Sequence, residues 1–274
     1  MSQVVSIQGP MGSHKTGMML SWRAEELHES QKLIRVLDLE LGLHRALPWA
    51  PYPDNVSPWS IPAPLAEELK ERLSFTRGGI LVGQKERYEK ISGALVDALN
   101  DTSVGVIGID TGKTYWEANH QAYLQGLQED SLKIKPNDPP RKNLQPIEYA
   151  TPNGRQKAMF DICKQVDKDL IIVHHERPTY VMDLATQREV PSGKYELDGF
   201  SHTLDSVDWA FKTEIVTEKD KSGKEWSHPK AQVIKSPVGD HVKFAWLPEM
   251  TYKSLVDMVM AMVAITETTN ASSG

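Results

Sequence analysis

The segment Gly9-Pro10-Met11-Gly12-Ser13-His14-Lys15-Thr16-Gly17 limits what this chain can become more than any other. An apolar, β-branched run, Val4-Val5-Ser6-Ile7, precedes it, and a stretch to Glu29 rich in Met, Leu, Ala and Glu follows it. The order reads as strand, glycine-rich turn, helix. Small residues in such a turn let successive backbone N–H groups point inward around phosphate oxygens. A helix that starts directly after it adds partial positive charge. In that geometry Lys15 reaches the β- and γ-phosphates of ATP and the Thr16 hydroxyl binds Mg²⁺. The expected cradle is Gly9, Pro10, Met11, Gly12, Ser13, His14, Lys15, Thr16 and Gly17. One position departs from the pattern. The residue before the lysine is expected to be Gly and is His14, whose Cβ crowds the phosphates or shifts the loop.

Further apolar runs alternate with helical patterns. Lys32–Glu40 and Val104–Asp110 read as buried strands, as does Asp169–His174. Leu65–Leu73 reads as a short helix and Gly79–Val82 as a strand. Helices are expected over Lys85–Asn100, Thr114–Leu127, Arg155–Val166 and Tyr252–Ile265. Trp49–Pro64 carries five prolines and two tryptophans and reads as a long surface loop. Val207–Thr217 resumes strand character, and a turn at Asp220–Gly223 leads into a late hairpin through Lys230–Lys235. The expectation is one α/β domain over residues 1–265 with a mainly parallel sheet and a C-terminal hairpin, then a flexible polar tail at 266–274.

Composition narrows the partners. Lys and Arg total 31 against 37 Asp and Glu, a net charge of −6, which excludes a basic coat over the whole surface but not a local patch. The single cysteine, Cys163, rules out an internal disulfide and fits a reducing compartment. No apolar run approaches a transmembrane span and the start lacks the regions of a signal peptide, so a cytoplasmic protein without membrane contact is expected.

Three carboxylates carry the expected chemistry. Asp110 ends the third apolar strand, where it would hold Mg²⁺ with Thr16; the competing role for it is capping the next helix. Asp38 and Glu40 end the second strand on one side of the chain, at the sheet edge where open α/β folds bind ligands. Glu40 is the candidate general base for the attacking water, with Glu117 as a rival. At the end of the fourth strand, His174 is the candidate to contact the γ-phosphate or the water. Adjacent His174 and His175 point to opposite faces of a strand, so they do not suit one metal ion. Arg177 is either a charge-stabilising arginine or a surface residue.

With these residues in place the chain resembles the RecA-like P-loop ATPases, through Gly9–Thr16, the Asp38-x-Glu40 pair, Ile109-Asp110-Thr111 and the polar strand end at His174. Within that group it looks most like phage-encoded nucleotide-binding proteins of the single-strand annealing type, with Val173-His174-His175, Asp198-Gly199-Phe200 and Asp208 adding to the pattern. The resemblance implies ATP hydrolysis with Glu40 as base, a homo-oligomer in a ring or filament, host cytoplasm, and two loops facing single-stranded DNA. The first loop is Ser131–Gln145, with Lys133, Lys135, Arg141 and Lys142 against Asp138; the second is Arg177–Lys194, with Arg177, Tyr180, Arg188 and Lys194. The alternative is a nucleotide-binding regulatory or assembly component that does not touch DNA. A small-molecule kinase is a third reading, disfavoured because no compact arginine-rich lid is visible.

Overall fold

The computed structural model describes residues 2–61, 76–77, 80–183, 187–219, 223–240 and 242–271. The chain begins with β1 (Val4–Gln8), then α1 (Lys15–Leu20), α2 (Ala24–Glu29), β2 (Leu33–Asp38) and α3 (Leu43–Ala46). Next come β3 (Val56–Trp59), a small antiparallel pair of β4 (Thr76–Arg77) and β5 (Ile80–Leu81), α4 (Gln84–Asn100) and β6 (Val104–Asp110). The central part continues with α5 (Gly112–Ile134), α6 (Ala150–Gln165), β7 (Asp169–His174), β8 (Glu176–Asp183) and β9 (Arg188–Leu197). It closes with α7 (Thr203–Ser206), β10 (Trp209–Lys219), β11 (Glu225–Lys235) and α8 (Tyr252–Ala271). The helix expected at Leu65–Leu73 lies outside the described residues.

Seven strands form the main sheet in the order β11-β10-β1-β7-β6-β2-β3. Every neighbouring pair is parallel except β10 and β11. The expected α/β architecture with a mainly parallel sheet is therefore present, and the late hairpin is part of the main sheet. Parallel strands need cover on both faces, so their sequences run almost wholly apolar. β1 and β7 obey this, with every residue buried. One face is covered by α1, α2 and α8, where Met18, Met19, Trp22, Leu27 and Leu255 meet Val5, Val36, Val106, Val173 and Phe211. The other is covered by α4, α5 and α6, where Ile91, Leu95, Tyr115, Met159 and Phe160 meet Leu37, Ile107, Ile109 and Ile172. Each such fully buried side chain contributes about 1.5–3 kcal/mol relative to exposure.

Four expectations change. The Pro-rich segment is not all loop, because β3 pairs with β2 as an edge strand whose Pro58 is exposed, and an edge tolerates a missing donor. Gly17–Glu29 is two helices, not one: Ser21 Oγ bonds the Met18 carbonyl at 2.8 Å and Arg23 is left-handed at φ 49°, which turns the chain between them. The segment after β7 is the hairpin β8–β9, not a loop. The last helix runs to Ala271, beyond the expected end at Ile265 and into the segment read as a flexible tail.

Candidate nucleotide site

The loop from Gly9 to His14 joins β1 to α1 at the carboxyl edge of the sheet. β10 clasps it from one side. Ser13 Oγ lies 2.6 Å from Thr213 Oγ1, and Thr213 also bonds the Gln8 carbonyl at 3.1 Å. A Cβ on Gly9 would stand 2.1 Å from Thr213 Oγ1, so only glycine fits there. His14 is left-handed, with φ 57° and ψ 26°. That explains why Gly suits this position: the conformation costs an L-residue about 1–2 kcal/mol, and His is among the residues that tolerate it best. The His14 side chain is exposed.

Lys15 folds back over the loop. Its Nζ donates to the carbonyls of Gly9 at 2.9 Å and Pro10 at 2.6 Å. Burial lowers its pKa, and the charges of Asp110, Glu176 and Glu40 oppose that shift. Thr16 Oγ1 donates to Asp110 Oδ2 at 2.7 Å, joining residues 94 apart in sequence. Burial pushes the Asp110 carboxyl up; the Thr16 bond pulls it down, and the charges of Asp38 and Glu40 push it further up.

The two acids after β2 divide their work. Asp38 accepts from the backbone of Gly42 at 2.9 Å and Leu43 at 3.0 Å, so it shapes the turn into α3. Glu40 crosses to the start of α5. Its Oε1 accepts from Thr111 Oγ1 at 2.7 Å and Thr114 Oγ1 at 3.0 Å, and its Oε2 lies 3.2 Å from His175 Nε2. Burial raises the Glu40 pKa, but the bonds from Thr111, His175 and Thr114 together outweigh it and hold the carboxyl below its usual range. Glu117 is half-exposed near Lys113 and shares none of these contacts.

His174 is the sharpest correction at the site. It is 1% exposed, and its ring nitrogens meet no well-formed hydrogen bond among the described residues; the Asp198 backbone and charge favour its protonated form only weakly against burial. Its ring presses on the start of α5, where a Cβ on Gly112 would come within 2.3 Å of Cε1. Burial lowers its pKa to about 4. The neighbour His175 is the histidine beside Glu40. Sequence reading also missed Thr213, Glu176 and Lys212, which arrive from β8 and β10; the pairing of β10 with β1 brings Lys212 and Thr213 here.

The residues fit Mg²⁺ in a particular way. Among the described residues no group of three or more His, Cys, Asp or Glu side chains could cage a metal. Mg²⁺ keeps several waters and uses one or two protein ligands plus substrate phosphates. Thr16 and Asp110 suit that role: Asp110 is buried beside Asp38 and Glu40, accepts the Thr16 hydroxyl, and has the Lys15 charge within reach.

The expected DNA loops are different in kind from the expectation. α5 extends through Ile134 and takes up part of Ser131–Gln145. Lys133 pairs with Asp130 at 2.9 Å and Lys135 with Asp138 at 3.7 Å, while Arg141 pairs with Glu148. Arg177 pairs with Glu196 at 2.8 Å across the β8–β9 hairpin. Lys142 has no ion pair among the described residues, and Tyr180 is 56% exposed. Four of these cations thus have acidic partners, Lys133, Lys135 and Arg177 in exposed pairs.

No protein-family model matches this chain, and no curated protein matches it in sequence. Among the described residues, no helix is long and apolar enough to cross a membrane.

Proposed function

We propose that this chain binds ATP with Mg²⁺ at the loop Gly9–Gly17 and hydrolyses it slowly, on a RecA-like core. The observation that carries the reading is the 2.7 Å contact between Thr16 and Asp110, beside a loop whose carbonyls hold Lys15. A lysine that bonds its own loop has its charge ready for an anion that enters the loop. Lys15 exchanges those carbonyls for the β- and γ-phosphates, and Thr16 and Asp110 hold Mg²⁺, which offsets charge on the phosphates.

Glu40 is the residue that orients water and takes its proton. Its three partners fix its direction. They also weaken it as a base, because each donor favours the ionised form, and that supports slow turnover. Of the two readings of the wider role, the ion pairs of Lys133, Lys135, Arg141 and Arg177 favour a nucleotide-binding component that works without direct DNA contact. Titration of a single-stranded oligonucleotide at low salt, with ATP and Mg²⁺, decides between them: binding that weakens steeply with salt restores the DNA reading.

The central test is ATP affinity and phosphate release in Lys15→Ala. Loss of a charge-assisted contact costs about 1.5–3 kcal/mol, so binding should fall at least tenfold. Unchanged affinity removes the proposal.

A further inference from the structure

Gln8, the last residue of β1 before the loop, is flanked in register by Lys212 of β10 on one side and His174 of β7 on the other. Lys212 therefore lies level with the start of the loop, next to the Thr213 that clasps it but on the opposite face of β10, the face it shares with His174. Its Nζ lies 3.6 Å from Oε1 of Glu176, an ion contact too long for a hydrogen bond. The Glu176 side chain is 7% exposed, and Oε1 accepts no hydrogen bond among the described residues. A carboxylate oxygen withdrawn from water without a hydrogen bond is costly. Here it lies among the cations of the site, since its charge also reaches Lys15.

We infer that Lys212 is a second phosphate-binding cation of this site, and that Glu176 is the counter-ion it gives up when the terminal phosphate of a nucleoside triphosphate arrives. The inference rests on the nucleotide reading above and deepens it by naming what distinguishes triphosphate from diphosphate. Lys212 is 38% exposed and carries its ammonium on a flexible four-carbon stem, so it turns without backbone movement. A triphosphate brings more negative charge than Glu176 and can take Lys212 from it. A diphosphate lacks the terminal group, and the Lys212–Glu176 contact persists. Glu176 acts by competition, so removing its charge favours the triphosphate.

The test is calorimetric titration of a non-hydrolysable ATP analogue and of ADP, each with Mg²⁺, into the full chain and its variants. Lys212→Met should weaken the analogue at least about tenfold, the scale of one charged contact, and leave ADP nearly unchanged. Glu176→Gln should tighten the analogue and not ADP. Equal effects on both nucleotides, or no effect of Lys212→Met, overturn the inference. If Lys212→Met does not fold, Glu176→Gln decides alone, because unchanged or weakened analogue binding overturns it. Lys15→Ala run in parallel separates the two levels: if it binds both nucleotides normally the nucleotide reading itself fails, and if it alone loses binding only the role of Lys212 fails.

Discussion

Asp110 ends β6 at the carboxyl edge of the sheet, and Asp169 begins the adjacent strand β7 at the amino edge. Both are nearly buried, and burial pushes both carboxyls up. Their surroundings differ. Asp169 accepts from the backbone of Gln3 at 2.8 Å and the Trp22 indole at 2.9 Å, with Arg23 at 3.5 Å. Asp110 has one side-chain donor, the Thr16 hydroxyl, with two acids beside it and the Lys15 charge, itself bonded to the loop, as its main cation. An acid surrounded by donors ties parts of the fold together. One crowded by other acids is held in a costly state that a cation relieves, and such states gather at working sites. The comparison predicts that changes at the carboxyl edge cost activity, while changes at the amino edge cost stability.

The largest expected effect is on turnover. Glu40→Gln should keep nucleotide binding and the unfolding midpoint but lower phosphate release by about 10²–10⁴-fold. Normal turnover in that variant would remove Glu40 as base. At the other edge, Asp169→Ala should cost about 1–3 kcal/mol for each donor it strands, read as a lower urea midpoint, with ATP affinity unchanged in the folded protein. A variant as stable as the parent would break the comparison.

His174 crosses the divide, because it sits at the carboxyl edge yet should govern stability. Its pKa is held near 4 in the fold against 6.5 outside it. The unfolded chain therefore takes up a proton that the folded chain refuses as pH falls through this window. Stability is full above pH 6.5 and declines towards about pH 4, by about 3 kcal/mol in total. Urea midpoints between pH 7 and pH 5 should fall, and His174→Leu should flatten that slope. The smallest effect should be on stability in Asp110→Asn, which relieves repulsion among acids and should leave the midpoint unchanged or higher. Its cost should appear in Mg²⁺-dependent nucleotide affinity, measured with and without the metal.

What the sequence makes legible follows from burial. β1, β2, β6 and β7 are apolar because both faces are covered, and the loop between Gln8 and Lys15 shows itself through its small residues. β8 and β9 are hidden because their residues are mostly exposed and no apolar alternation marks them. β3 is hidden by the prolines around it. Alternation along β7 correctly separates His174 from His175, but it does not say which face α1 covers. His174 shares the face of Ile172, under α5, and it is His175 that lies beside Glu40. The ion pairs of the basic segment were not legible, because counting cations says nothing about acids a turn away. Asp130 and Glu148 lie just outside the counted segment.

The clasp between Ser13 and Thr213 also sets an order of events during synthesis. The two hydroxyls are 200 residues apart, and β1 sits between strands that are made much later. At about 5–20 residues per second, the ribosome needs roughly 10–40 s to bring Thr213 out after Ser13. Through that interval the five-residue strand Val4–Gln8, wholly buried in the finished fold, lacks β10 as a neighbour. A nascent chain therefore emerges with β1 unpaired on its β10 side and its loop unfastened. A chain stopped before Trp209 should associate with chaperones and fail to bind nucleotide, even though it contains every residue from Gly9 to Gly17.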